Sequence, residues 1–109
     1  PSESQENIRQ RLADILVATI SLRLIKDKKG ERILPVIEVM RSTTTIQHCI
    51  KEGQFDEIEQ HIEKGRAQYH MQSMDQHLIQ LCQKDIISIE QAKRLSHSMD
   101  LERKLTFTR

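Results

Sequence analysis

The stretch ILPVIEVM, residues 33–40, decides the fold class, because it is the clearest β-strand in a chain otherwise dominated by helical patterns. It is rich in β-branched residues, which favour strands. It is also apolar on both faces except at Glu38. A strand of this kind is normally covered on both sides. Pro35 cannot donate to a strand ladder, so we expect the strand either to start after it or to lie at an edge there.

A second β-compatible run, residues 22–26, precedes ILPVIEVM and is separated from it by KKGE at residues 28–31. Gly30 can adopt a positive φ without a steric penalty, which suits a tight turn. Together the two runs predict a β-hairpin. Because a two-stranded hairpin alone is marginal in water, we expect this one to extend a larger sheet outside the chain.

Helical patterns flank the hairpin on both sides. Upstream, apolar residues recur at helical spacing from Ile8 to Ile20, and the capping-box spacing of Ser2 and Gln5 places the helix start near Glu3. We expect this helix to run to about residue 21. From residue 42 onward the patterns indicate only helices.

Four pairs of polar residues have the spacing of helix starts in the second half of the chain. They are Thr44 with Gln47, Asp56 with Glu59, Ser73 with Gln76, and Ser88 with Gln91. Gly53 and Gly65 are expected helix stops, and a last turn is expected from Asp100 to Leu105. The chain is therefore predicted to be mainly α with a small β-hairpin, divided into residues 1–41 and a helical domain of residues 42–109.

The composition argues against several function classes. The 109 residues contain 17 basic and 16 acidic side chains, and the two signs are interspersed rather than gathered into a basic stripe. This pattern is typical of solvated helix faces and not of a nucleic-acid binder. No apolar run approaches the roughly 20 residues that span a bilayer, so direct membrane insertion is not expected. With no Trp, one Tyr and two Phe, the core must rely on aliphatic residues and Met.

The cysteines and histidines do not suggest a metal site. Cys49 and Cys82 lie far apart, without a C-x-x-C motif, and each falls on the apolar side of a helical pattern, as a small buried hydrophobe would. The acidic cluster at residues 56–59 is explained by the dipole of a helix start. The histidines lack the tight spacing of zinc ligands. They are His48, His61, His70, His77 and His97.

A nucleotide site is also absent from the sequence. A P-loop needs the pattern G-x-x-x-x-G-K-[ST], and none of Gly30, Gly53 and Gly65 is followed by Lys. We therefore expect the chain alone to bind no nucleotide cofactor and to have no ATPase activity. The predicted helices 74–84 and 89–97 look superficially like a helix-turn-helix motif, but the second offers an ordinary solvated face, which favours a packed αα-hairpin.

In order and spacing, the segments resemble the C-terminal region of PilT-type pilus retraction ATPases, of the type II/IV secretion ATPase superfamily. Residues 8–16 resemble the helix that follows the catalytic core of that family, and residues 36–40 resemble its hairpin. Leu22 departs from the Gln that the family commonly has. MQSMDQ at residues 71–76 is similar to the family's G-M-Q-T-M-D-Q, with His70 in place of the Gly.

A further segment resembles the family's helix A-I-R-N-L-I-R-E, which is tied to retraction rather than to nucleotide chemistry. Ile46, Ile50 and Glu52 match that pattern, while Gln47 and His48 replace its Arg and Asn. The differences suggest a divergent PilU-like or secretion-system relative. The resemblance implies a transmitting helix formed by Thr45, Ile46, Gln47, His48, Cys49, Ile50, Lys51 and Glu52.

The resemblance implies the end of a RecA-like P-loop ATPase followed by a helical tail, with the hairpin completing the sheet of the catalytic core. The parent would be a homohexameric motor in the bacterial cytoplasm, at the inner-membrane base of a type IV pilus machine. Its ATP and Mg²⁺ would bind before Pro1, and its partners would be the other subunits and inner-membrane pilus assembly proteins. A stand-alone helical protein-interaction module and, more remotely, a small DNA-binding domain remain open as alternatives.

Overall fold

The computed structural model describes residues 2–96 and 101–108. Two strands form one antiparallel sheet, and the other elements are helical, which confirms the predicted fold class. In the described part of the chain, no helix is long and apolar enough to cross a membrane. The elements are α1 (Ser2–Ile15), β1 (Ala18–Lys26), β2 (Ile33–Arg41), α2 (Thr44–Glu52), a 3-10 turn (Phe55–Glu57), α3 (Ile58–Lys64), α4 (Arg66–Tyr69), α5 (Met74–Gln83), α6 (Ile89–Leu95) and α7 (Leu101–Thr108).

The first helix is shorter than predicted, and the first strand is longer. α1 ends at Ile15 and β1 already begins at Ala18, so the expected helix to residue 21 is wrong. Residues 17–20 include Val, Thr and Ile, whose β-branched side chains favour an extended backbone. The backbone N–H of Ser42 also donates to the carbonyl of Val17 at 2.8 Å, which fixes the extended conformation just before β1.

β2 begins at Ile33 and therefore contains Pro35, so it does not start after the proline. In a two-stranded sheet each strand has an edge without a β-partner, and such an edge tolerates proline. Val36 is fully buried, whereas Ile33 is exposed. Gly30, in the connecting turn, has φ 74°, as predicted from its position.

The chain forms two compact units. The first is Pro1–Ile20 with Val39–Gln72, and the second is Ser21–Glu38 with Ser73–Arg109. Each of the two long strands contributes residues to both units.

The first unit is built around α1 and α2, which pack against each other. Among the described residues, its core contains no aromatic side chain and relies on aliphatic side chains and Met, as the composition predicted. The buried residues of this core are Ala13, Met40, Ile46, Ile50, Ile62 and Met71.

The second unit contains α5, α6 and α7, which pack together, and the part of the hairpin nearest its turn, Ser21–Glu38. The predicted capping boxes at the starts of α5 and α6 are both present, since Ser73 pairs with Gln76 and Ser88 with Gln91. Its buried core consists of Val36, Met74, Leu78, Ile79, Leu81, Ile87, Ala92, Leu101 and Leu105.

Other helix boundaries differ from the expectations. In the described part of the chain no side chain caps α3, and its predicted start at Asp56 is occupied by the 3-10 turn. Gly65 ends α3 as predicted, although α4 follows it at once. α7 extends beyond the predicted last turn to Thr108. Two predicted helix ends lie outside the described residues: Asp100, the predicted start of the last turn, and residue 97, the predicted end of helix 89–97.

Candidate functional site

α2 carries the segment predicted to be a transmitting helix. A side chain caps the start of α2, and a backbone hydrogen bond closes its end. The Thr43 hydroxyl, rather than Thr44, caps the start by accepting the N–H of Ile46 at 3.2 Å. Gly53 ends the helix with φ 70° and donates its N–H to the carbonyl of Ile50 at 3.2 Å. A left-handed residue of this kind is normally glycine, because a Cβ would be strained there.

One face of α2 anchors the helix in the core of the first unit. Ile46, Cys49 and Ile50 are all at most 3% exposed. Their spacing of three and four residues places them on one side of the helix. The apolar part of the sequence pattern is thus accounted for by packing.

The opposite face of α2 is open to solvent. Thr45, His48 and Glu52 are exposed and follow one another at helical spacing. Lys51 is also exposed, but its Nζ lies 3.2 Å from a carboxylate oxygen of Asp14 on α1. An exposed pair of this kind contributes little to stability. The eight predicted residues therefore form one helix with a buried side and a side available for contacts.

A groove of about 600 Å³ lies at the N-terminal end of α2. Gln47, half-buried, is the predicted site residue that reaches it. The Oγ of Ser42 is buried in this region and has no hydrogen-bond partner among the described residues. The groove is lined by Val17, Ala18, Arg41, Ser42, Thr43, Thr44, Gln47 and Tyr69.

The MQSMDQ segment is structural, and each unit uses part of it. In the first unit, Met71 is buried in the core and Gln72 forms an antiparallel bridge with Val39. In the second unit, Ser73 is the N-cap of α5 and Met74 belongs to the core.

Asp75, in the same segment, is a fully buried carboxylate. It accepts the Ser96 hydroxyl at 2.6 Å and lies 3.0 Å from the Nζ of Lys104. Buried carboxylates persist when they are paired and hydrogen-bonded in this way. The pair ties α5 to α7 inside the second unit.

The histidines lie in different environments. His48 and His70 are exposed. His70 has a left-handed φ of 57°, at the position where the PilT-type family that the chain resembles has Gly. The Nδ1 of His77 accepts the backbone N–H of Ile37 at 2.8 Å. His97 lies outside the described residues.

His61 has a different setting from the other described histidines. Its ring nitrogen, the Sγ of Cys49 and a carboxylate oxygen of Glu57 all lie within 4.8 Å of one another. Burial, together with the negative charge of Glu57, raises the pKa of the Cys49 thiol. This Cys/His/Glu cluster could not be predicted from the sequence, because the spacing of its members matches no metal-binding pattern and Glu57 is fully explained as a helix-start residue.

Comparisons with known proteins agree with the resemblance. No protein-family model matches the chain. A twitching motility protein from Neisseria gonorrhoeae is 28% identical to it over 100 residues, which cover 92% of this chain and 26% of that protein.

The structural comparison finds the crystal structure of the pilus retraction motor PilT with bound ADP. It matches with a TM-score of 0.73 and 29% sequence identity, over 94% of this chain and 28% of that chain. The chain thus spans about a quarter of the length of the proteins it matches. In fold and in sequence, the chain is similar to the C-terminal domain of the pilus retraction motor PilT.

Proposed function

We propose that this chain is the coupling part of a larger motor ATPase that retracts type IV pili in twitching motility. The observation that carries the proposal is the match to a pilus retraction motor over 94% of the chain. The absence of a P-loop in these residues supports a division of labour, in which ATP and Mg²⁺ bind to another part of the protein.

Within this function, α2 is the transmitting helix. A helix that passes on a movement must be rigidly attached on one side and free to contact a neighbour on the other. Ile46 and Ile50 provide the attachment, because both are buried in the core of the first unit. His48 and Glu52 supply charge and hydrogen-bonding groups on the exposed side.

The hairpin completes the sheet of the catalytic core. Support comes from β1, which exposes Leu22 and Leu24, and from the exposed Ile33 on β2. Exposed apolar residues in neighbouring strands typically mark a surface that is covered in the complete protein. The catalytic core of the parent is the partner that the resemblance implies.

The complete protein is a homohexamer in the cytoplasm, peripheral to the inner membrane at the base of the pilus machine. Its partners are the other subunits and the inner-membrane pilus assembly proteins. This assignment rests on the likeness to PilT and on the exposed surfaces just described.

The proposal is tested in the complete protein that carries this chain. We expect a His48→Ala/Glu52→Ala variant to slow or abolish pilus retraction while ATP hydrolysis and thermal unfolding stay near wild-type values, because both side chains are exposed and lie outside the core. Gln60→Ala, an exposed change on α3, serves as the matched control. Wild-type retraction by the double variant would contradict the role of α2, and a parallel loss of ATPase activity would place the helix in the nucleotide chemistry instead.

A further inference from the structure

Cys49, Glu57 and His61 bring a thiol, a carboxylate and an imidazole within 4.8 Å of one another in the first unit. These are three side-chain types that hold Zn²⁺ in proteins. We propose that the three residues form a Zn²⁺ site that clips α2 to α3.

The distances suit such a site. Zinc lies about 2.0–2.3 Å from nitrogen, oxygen and sulfur ligands, so the ligand atoms of a tetrahedral site are roughly 3.3–3.6 Å apart. Each separation is at most 4.8 Å, so side-chain rotations that shorten it by no more than about 1.5 Å would bring the three donors into this range. Water would complete the tetrahedron, as it does in zinc sites that have three protein ligands.

The backbone around the three donors is fixed by hydrogen bonds. The N–H of Gln54 donates to the carbonyl of Cys49 at 2.8 Å, just beyond the end of α2. The N–H of Gly65 donates to the carbonyl of His61 at 3.0 Å, at the end of α3. Ligands held by helical backbone meet in a defined geometry, which a metal site requires.

The chemistry of the donors favours Zn²⁺ over Mg²⁺ or Ca²⁺. A thiol and an imidazole are ligands for zinc and softer metals, whereas Mg²⁺ and Ca²⁺ prefer sets of oxygen atoms. A Cys49 thiolate and a Glu57 carboxylate carry two negative charges, which balance the charge of one Zn²⁺ ion. This balance matters because Cys49 is only 2% exposed, and an unpaired charge is costly there.

The ion also has a route to the site. Glu57 is exposed and His61 is half-buried, so two of the three donors can meet a hydrated ion at the surface before the Cys49 thiol releases its proton. Once bound, Zn²⁺ would join α2, the 3-10 turn and α3, and would hold the helix proposed to transmit movement.

The test is Zn²⁺ binding to this chain, measured by competition with a chromophoric chelator under a non-thiol reductant. Co²⁺ is the spectroscopic probe for a thiolate ligand. We expect a single tight site whose Co²⁺ form shows a thiolate charge-transfer band, and we expect Zn²⁺ to raise the thermal midpoint. Glu57→Gln and His61→Gln should each weaken Zn²⁺ binding by at least about tenfold, and Cys49→Ser should remove the band.

Matched controls separate this site from chance binding. Each control removes a thiol, an imidazole or a carboxylate that is not one of the three proposed ligands. The controls are Cys82→Ser, His48→Gln and Asp56→Asn, and all three should bind Zn²⁺ with the wild-type affinity. The proposal would be overturned if the wild-type chain does not bind Zn²⁺. It would also be overturned if a control loses as much Zn²⁺ affinity as the ligand variant that changes the same chemical group. If Cys49→Ser does not fold, Glu57→Gln and His61→Gln decide the question, because their side chains are not in the buried core; unchanged affinity in both would overturn it.

Discussion

The Nδ1 atom of His77 accepts the backbone N–H of Ile37 at 2.8 Å, which joins α5 to the open edge of β2 inside the second unit. An imidazolium carries hydrogens on both ring nitrogens, so this hydrogen bond exists only while His77 is neutral. The contact gives the N–H of Ile37 an acceptor on α5. It also makes the packing of this strand sensitive to pH.

We expect the chain to lose stability on acidification because of His77. Burial lowers the pKa of His77 below its ordinary value of 6.5, and the positive charge of Lys84 acts in the same direction. The unfolded chain therefore takes up a proton at a higher pH than the folded chain does. The contribution is complete above the unfolded pKa and is lost as the pH falls through it toward the folded pKa, with a slope of at most about 1.4 kcal/mol per pH unit.

Urea unfolding at pH 7.5 and at pH 5.5 measures this effect. The free energy of unfolding should fall less between the two pH values in His77→Gln than in the wild type, because the variant has no imidazole at position 77. His48→Gln, which removes an exposed histidine, should keep the wild-type loss. Equal losses in the wild type and in His77→Gln would contradict the role of this hydrogen bond.

His70→Gly should stabilise the chain. His70 holds a left-handed φ of 57° at the end of α4, a conformation that disfavours residues with a Cβ by about 1–2 kcal/mol. Glycine loses part of this gain because its unfolded state is more flexible, so we expect a net gain of about 0.5–1 kcal/mol in the free energy of unfolding. Gln68→Gly, an exposed change inside α4, should destabilise instead. A destabilised His70→Gly variant would show that the His70 side chain makes a compensating contact.

Lys104→Met should destabilise the second unit strongly. The substitution leaves the carboxylate of Asp75 fully buried without its cation, and the loss of one partner of a buried pair costs about 3–5 kcal/mol. The double variant Asp75→Asn/Lys104→Met should recover much of the loss, since it removes the buried charge. Lys93→Met breaks the exposed ion pair with Glu102 and should cost no more than about 1 kcal/mol. Equal effects of Lys104→Met and Lys93→Met in chemical denaturation would argue against the pair with Asp75.

Local patterns predicted the parts of the fold that are determined locally. Ser73 and Gln76 cap α5 as expected, because a capping box needs only the right side chains three residues apart. Gly53 ends α2 as expected, because the left-handed conformation suits glycine. The buried face of the candidate helix was likewise visible in the spacing of Ile46 and Ile50.

Features that depend on contacts between residues far apart in the sequence could not be predicted from local patterns. The apolar period of α1 continues past its true end, and the strand that replaces it is held by Ser42 on the other side of the hairpin. The meeting of Cys49 with His61 depends on how α2 and α3 pack, and no spacing rule encodes that. The roles of Asp75 and His77 also stayed hidden, because their partners lie far away in the sequence.

We propose that this chain is the coupling part of a larger retraction motor whose nucleotide site lies outside it. The first experiment is to sequence the reading frame on the N-terminal side of Pro1. We expect a continuous frame that contains G-x-x-x-x-G-K-[ST], as a P-loop requires. A frame that contains no such motif would contradict the motor and would leave a helical protein-interaction module in its place.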